Sequence, residues 1–255
     1  MNRSSPLEAL LIDCGNSRIG WSSYDGEAVT PPEHCRHGGT LPPELTAQWS
    51  QQPPRRVLIA NVAGGGLQQQ LGRWFASHWK ITPTLLRAQR QAHGVTNGYR
   101  DAETLGVDRW LALIGARTVT SQPLCVVDCG TAVTIDVMDA VGVHQGGLIA
   151  PGYGMMLTCL EQGTAIAGID LREHDGQLLG SSTAECIHSG AVNSVAALID
   201  RVMGAHPGHA LLLTGGDAQR IFPLLEHHAE VIPDLLFRGM ARYVKQRQAR
   251  DGGKC

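Results

Sequence analysis

The stretch Leu124-Cys125-Val126-Val127-Asp128-Cys129-Gly130-Thr131-Ala132 decides the fold. An apolar run that stops at an aspartate, a small residue and a glycine reads as a buried strand delivering the chain to a tight turn. The alternating Val133-Thr134-Ile135-Asp136-Val137-Met138 follows, then a turn from Asp139 to Gly142. The same phrase stands 115 positions earlier: Ala9-Leu10-Leu11-Ile12, then Asp13-Cys14-Gly15-Asn16-Ser17. It runs on through Arg18-Ile19-Gly20-Trp21-Ser22-Ser23-Tyr24 to the hairpin signal Asp25-Gly26. The chain therefore repeats a strand–turn–strand unit at close to half its length.

A second pair of segments supports the repeat. Val57 to Val62 ends at Gly64-Gly65-Gly66, and Ala210 to Thr214 ends at Gly215-Gly216. Both are apolar strands that stop at glycines and lead into helix-like stretches. Strands alternating with helices predict an α/β protein of two similar halves, 1–120 and 121–255, joined near Thr118 to Pro123. The larger spacing of the second pair reflects extra sequence around Gly146 to Gly180. Pro43 suits the first residue of a short helix, Glu44 to Ser50. The basic run from Lys245 to Arg250 reads as the end of a last helix, with a tail from Gly252 onward.

Composition bounds the class. Of 255 residues 43% are hydrophobic and 17% charged, which excludes a disordered chain or a coiled coil. The net charge of −2 gives no electrostatic reason to expect nucleic acid or a membrane surface as partner. No stretch approaches the ~20 apolar residues of a membrane helix, and Ala9 to Ile12 is too short for a signal-peptide core. Seven cysteines, Cys14, Cys35, Cys125, Cys129, Cys159, Cys186 and Cys255, form no C-x-x-C pair, so reduced thiols in a cytoplasm are expected. Eleven histidines show no metal-ligand spacing.

A turn of this kind can do chemistry. Glycine lets the backbone approach a ligand, backbone N–H groups there suit phosphate oxygens, and the neighbouring carboxylate can hold a cation. One such turn could be no more than the start of a hairpin. Two of them, each ending a buried strand at half-chain distance, point to a pair of clamps on one polyphosphate. Gly215-Gly216 reads either as a plain tight turn or as room for backbone beside a nucleoside.

Val107, Trp110, Leu111, Ile114 and Thr118 form one helical face, with Asp108 and Arg109 at its start and off that stripe. Asp108 could cap the helix. The functional alternative is that it accepts the proton of a substrate hydroxyl while Arg109 grips an anionic group. Ser181-Ser182-Thr183-Ala184-Glu185 reads as another helix start, and Thr183 could also offer its hydroxyl to a substrate. Met155-Met156-Leu157 after the Pro151-Gly152 turn reads as core filling.

Taken together these segments resemble type III pantothenate kinases, members of the acetate and sugar kinase, heat-shock chaperone and actin superfamily. The likeness spans essentially the whole chain. It rests on Asp13 to Ser17, Leu105-Gly106-Val107-Asp108-Arg109-Trp110, Asp128 to Ala132, Gly146 to Gly152, and Thr214-Gly215-Gly216-Asp217-Ala218, in the family's order. The resemblance implies two ribonuclease-H-like (actin-like ATPase) halves, mixed sheets flanked by helices, with a nucleotide cleft between them. It implies transfer of the γ-phosphoryl group of ATP to the primary hydroxyl of pantothenate, the first step toward coenzyme A. The phosphate-binding segment falls on Asp13, Cys14, Gly15, Asn16, Ser17, Arg18, Ile19 and Gly20, with Thr131 as a further ATP contact. Asp108 matches the general base, and Tyr99, Gly106, Val107, Asp108, Arg109 and Thr183 match the pantothenate contacts. Asp128 matches the position of a monovalent cation, K⁺ or NH₄⁺, alongside Mg²⁺ carried with ATP. A homodimer is implied as well.

Two positions depart from the pattern. Some relatives have Lys where Gly20 stands, and others have Pro within the stretch Arg100 to Thr104. A second reading keeps the fold but assigns a nucleotide-binding transcription accessory factor with little kinase activity; a third keeps the kinase with a different hydroxylated acceptor.

Overall fold

A computed structural model describes residues 7–50, 53–164 and 178–252 of the chain. Cys255 and the tail beyond Gly252 lie outside the described residues. In chain order the elements are β1 (Ala9–Cys14), β2 (Arg18–Tyr24), β3 (Glu33–Arg36), α1 (Pro43–Trp49), β4 (Arg56–Asn61), α2 (Gly65–His78) and β5 (Thr84–Leu85). The short pair β6 (Gln91–Ala92) and β7 (Val95–Thr96) precedes α3 (Val107–Val119). Then come β8 (Leu124–Cys129), β9 (Ala132–Met138), β10 (His144–Pro151), α4 (Tyr153–Gly163), α5 (Thr183–Ala205), β11 (Ala210–Thr214), α6 (Ala218–Ile221), β12 (Ala229–Val231) and α7 (Leu235–Gly252).

Two compact units result, Met1–Thr120 with Asp234–Cys255, and Ser121–Pro233. The sequence reading assigned everything after residue 120 to one half, and here the structure corrects it. Helix α7 packs along α3 and against β1 and β2, so the end of the chain completes the first unit.

The first unit holds a five-stranded sheet in the order β3-β2-β1-β4-β5. Strands β1 and β2 are antiparallel, with Asp13 opposite Gly20 and Cys14 opposite Ile19, while β4 runs parallel to β1. Leu10, Ile12 and Cys14 point into a core shared with Ile19, Leu45, Trp49, Leu67, Leu71 and Phe75 from the α1 and α2 side. Alternation puts Ala9, Leu11 and Asp13 on the opposite face. Pro43 stands at the first position of α1, as its fixed φ favours.

The second unit repeats the order as β10-β9-β8-β11-β12. Cys125, Val127 and Cys129 enter its core with Val192, Val195 and Ile199 of α5, leaving Val126 and Asp128 on the other face. Even the hairpin ends match. Asp25 Oδ1 accepts from the N–H of Glu27 and Ala28, and Asp139 Oδ1 accepts from those of Val141 and Val143. Gly26 and Gly142 supply the positive φ each turn needs.

Candidate functional site

In the first unit, β1 ends in Asp13-Cys14 and the turn Gly15 to Arg18 carries the chain into β2. Gly15 N–H donates to the Arg18 carbonyl at 3.0 Å, closing the turn. Val62 N–H, just beyond β4, donates to the Cys14 carbonyl at 2.9 Å. His37 braces the turn from outside, its Nε2 donating to the Gly15 carbonyl at 2.8 Å and its N–H to the Ser17 carbonyl. Asn16, Ser17 and Arg18 are exposed, whereas Cys14, Ile19 and Gly20 are buried. Cys14 and Ile19 are core residues, and burial, reinforced by Asp13, raises the Cys14 thiol far above its ordinary range. Gly20 has a reason of its own. A Cβ there would lie 2.8 Å from His34 Nδ1, so the His34 ring fills the space a side chain at position 20 would take.

The second unit builds the matching turn one residue shorter. Cys129 pairs with Val133, where Cys14 pairs with Ile19. Gly130 N–H donates to the Ala132 carbonyl at 3.1 Å, and Asp217 N–H donates to the Cys129 carbonyl at 2.9 Å, paralleling the Val62 bond of the first unit. Thr131 stands exposed at the tip, and Asp128 is half-buried beneath it. Glycines crowd this turn for steric reasons. A Cβ on Gly215, at φ +91°, would meet Asp128 Oδ1 at 2.3 Å; one on Gly152 would meet the Gly130 carbonyl oxygen at 2.2 Å. Gly215 thus packs directly on the aspartate turn. Burial, then Asp128 and Asp217, push the Cys129 thiol up to about 12, so it stays protonated. A hollow of about 690 Å³, lined by Gln122, His206, His209 and Glu230 among others, lies at the other end of this sheet, where β8 and β11 begin.

The Asp-Arg step opens α3. Gly106 precedes the helix, and a Cβ there would sit 2.4 Å from Asp108 Oδ1. Asp108 Oδ1 accepts from the Arg109 N–H at 2.8 Å within the first turn of α3, whose N-cap is Gly106 with no side-chain cap bond, so Asp108 is not the cap. Arg109, expected off the apolar stripe, is only 6% exposed. Helix α7 packs along α3 on the side of Leu111 and Gly115. Trp110 Nε1 fixes that packing by donating to Tyr243 Oη at 2.9 Å. Arg109 Nη1 donates to Tyr99 Oη at 2.7 Å, and its guanidinium carbon lies 5.6 Å from the Tyr99 ring centre.

In the second unit Thr183 is the exposed first residue of α5. Ser182 caps that helix by accepting from Glu185 N–H, and Glu185 Oε2 accepts from Ser181 N–H at 2.7 Å. The Thr183 hydroxyl is not the capping group. His37, Arg90 and Asn97 shape these segments and escaped the sequence reading, because each acts on a turn with no local signal of the contact.

Two sheets of order 3-2-1-4-5, each ending its central strand in an aspartate turn, define the actin-like class of ribonuclease-H folds. A 2-dehydro-3-deoxygalactonokinase-like protein from Sinorhizobium meliloti shares the fold at 14% identity and TM-score 0.57, over 94% of this chain and 99% of that one. A protein from Campylobacter jejuni described as a Baf family transcriptional activator does so at 20% identity and TM-score 0.61, over 94% and 99%. At such identities the likeness is one of fold alone, and it lends nothing to the transcription-factor reading. The chain belongs to the type III pantothenate kinase family, whose model matches residues 9–205. The type III pantothenate kinase of Nitrosococcus oceani is 40% identical over 248 residues, 92% of this chain and 93% of that protein.

Proposed function

We propose that this enzyme transfers the γ-phosphoryl group of ATP to the primary hydroxyl of pantothenate, giving 4′-phosphopantothenate for coenzyme A synthesis, with Asp108 as general base. The observation that carries the reading is the Asp108–Arg109 step, a half-buried carboxylate beside a buried guanidinium already bonded to Tyr99. Phosphoryl transfer needs in-line placement and charge neutralisation more than covalent chemistry. Asp108 orients the attacking hydroxyl and takes its proton. Arg109, with Tyr99, pairs with the pantothenate carboxylate through its planar fork. The backbone of Gly106 and Val107 and the Thr183 hydroxyl complete the acceptor contacts.

The Asp13-to-Gly20 turn holds phosphate oxygens through its backbone and the exposed side chains of Asn16, Ser17 and Arg18, and Thr131 adds a hydroxyl. The oxygen donors of Asp128 fit a hard monovalent cation, K⁺ or NH₄⁺, and Mg²⁺ enters with the nucleotide. When bound, these cations offset polyphosphate charge. Exposed Leu148 and Ile149 on the edge strand β10, with Met155 and Leu160 on α4, suit the apolar seam of a homodimer. Six free thiols among the described residues suit a reducing cytoplasm, and no described helix is long and apolar enough to cross a membrane.

The test is product formation from ATP and pantothenate, with and without K⁺. Phosphopantothenate that rises with K⁺ supports the reading. Nucleotide binding without turnover on pantothenate, or turnover only on another alcohol, would remove it.

A further inference from the structure

We infer that Arg90 is a positioning residue of the acceptor site: its guanidinium holds the loop from Asn97 to Arg100 in the shape that sets Tyr99 against Arg109. The inference rests on Tyr99 and Arg109 being acceptor contacts. Arg90 Nη1 donates to the carbonyls of Asn97 at 2.9 Å and Tyr99 at 2.7 Å, and Nη2 donates to that of Arg100 at 2.8 Å. The Arg90 carbonyl in turn accepts from Asn97 N–H at 2.9 Å. Three carbonyl dipoles aimed at one spot repel unless a cation sits there, and a planar guanidinium fork can serve all three at once.

Packing does not do this job. Between Val95 and Ala102, both buried, the only buried side chain is that of Asn97, at 2% exposure. Its Nδ2 donates to the Ala102 carbonyl at 2.9 Å, and its Oδ1 accepts from Tyr99 N–H at 3.0 Å. The loop's form therefore depends on polar contacts, three of them from Arg90. Tyr99 closes the chain of cause by accepting from Arg109 Nη1. Without Arg90 the Tyr99 hydroxyl loses its fixed place, and the buried Arg109 fork loses a partner that aims it. Arg90 itself is exposed, so its removal opens no cavity and leaves the fold intact.

The experiment compares wild type, Arg90→Met and Arg90→Lys by steady-state kinetics with ATP and pantothenate, and by amide hydrogen exchange. Arg90→Met is expected to raise the KM for pantothenate about tenfold or more, leave the KM for ATP within about twofold, and speed exchange at residues 97–102. Arg90→Lys, with one point donor for three acceptors, is expected to fall between the two. A pantothenate KM within about twofold of wild type, an equal rise in both KM values, or unchanged exchange over 97–102 would each overturn the inference. If wild type turns over no pantothenate, the functional reading fails by itself, and the exchange comparison still decides whether Arg90 holds the loop.

Discussion

Gly115 of α3 and Gly239 of α7 face each other backbone to backbone. A Cβ on Gly115 would lie 1.9 Å from the Leu235 carbonyl oxygen, and one on Gly239 would lie 2.0 Å from that of Leu111. Neither oxygen belongs to a movable side chain, so a methyl group at either place forces the helices apart. Gly115→Ala or Gly239→Ala should each cost about 1–3 kcal/mol, read as a lower denaturation midpoint. Unchanged stability in both would mean the helices do not meet there.

Asp108→Asn should leave the thermal midpoint near wild type. The amide oxygen can still accept the Arg109 N–H, but it cannot take a proton. Turnover should fall by about 10²–10⁴-fold with little change in ATP binding. Full activity would take Asp108 out of the chemistry.

The crowding at Gly20 couples it to His34. Gly20→Lys must displace the His34 ring, whereas His34→Ala in the same chain restores the room. The double variant should be more stable than Gly20→Lys alone by about 1 kcal/mol. Strict additivity in the four-variant cycle would deny that coupling.

His93 predicts an acid-sensitive fold. Its Nε2 is buried with no hydrogen-bond partner, and its ring packs edge-on 4.4 Å from Tyr243. Burial, then the nearby Arg242, hold its pKa below the ordinary 6.5. The unfolded chain therefore binds a proton that the folded chain resists. The stability His93 brings is whole above about 6.5 and is lost as pH falls through the folded value. His93→Asn, which tolerates the positive φ of 51° at this turn, should flatten the fall in midpoint between about pH 7 and 5. An identical slope in the variant would clear His93 of the effect.

Thiol labelling gives an independent check on the cores. Cys14, Cys125 and Cys129 are buried and their pKa values are raised, while Cys186 is exposed. Native protein at mild pH should be alkylated at Cys186 and spared at the other three. Rapid labelling of Cys129 would contradict the packing of the second turn.

Much of this could be read from the chain alone, for a physical reason. Leu124 to Gly130 and Ala9 to Gly15 encode burial, strand end and turn within seven residues each, so local chemistry exposes them. Asp108 and Arg109 were visible through their place at a helix start. The burial of Arg109 was not, since the periodicity of α3 leaves that position off the apolar stripe. Nor was the hold of His37 on Gly15 or of Arg90 on Tyr99. A hydrogen bond from a side chain to a distant carbonyl leaves no trace in periodicity or composition. The place of Gly215 beside the Asp128 carboxylate was equally hidden, because the two stand at the ends of neighbouring strands that are far apart in the chain.

The return of α7 to the first unit also bears on how the molecule is made. A ribosome releases residues 1–120 long before Leu235, so the nascent first unit must wait with the α7-facing side of α3 uncovered. The second unit, continuous from Ser121 to Pro233, can close while the first is still incomplete. A truncation that deletes only the last helix should thus leave an unfinished first unit attached to a finished second one, a natural substrate for chaperones and proteases.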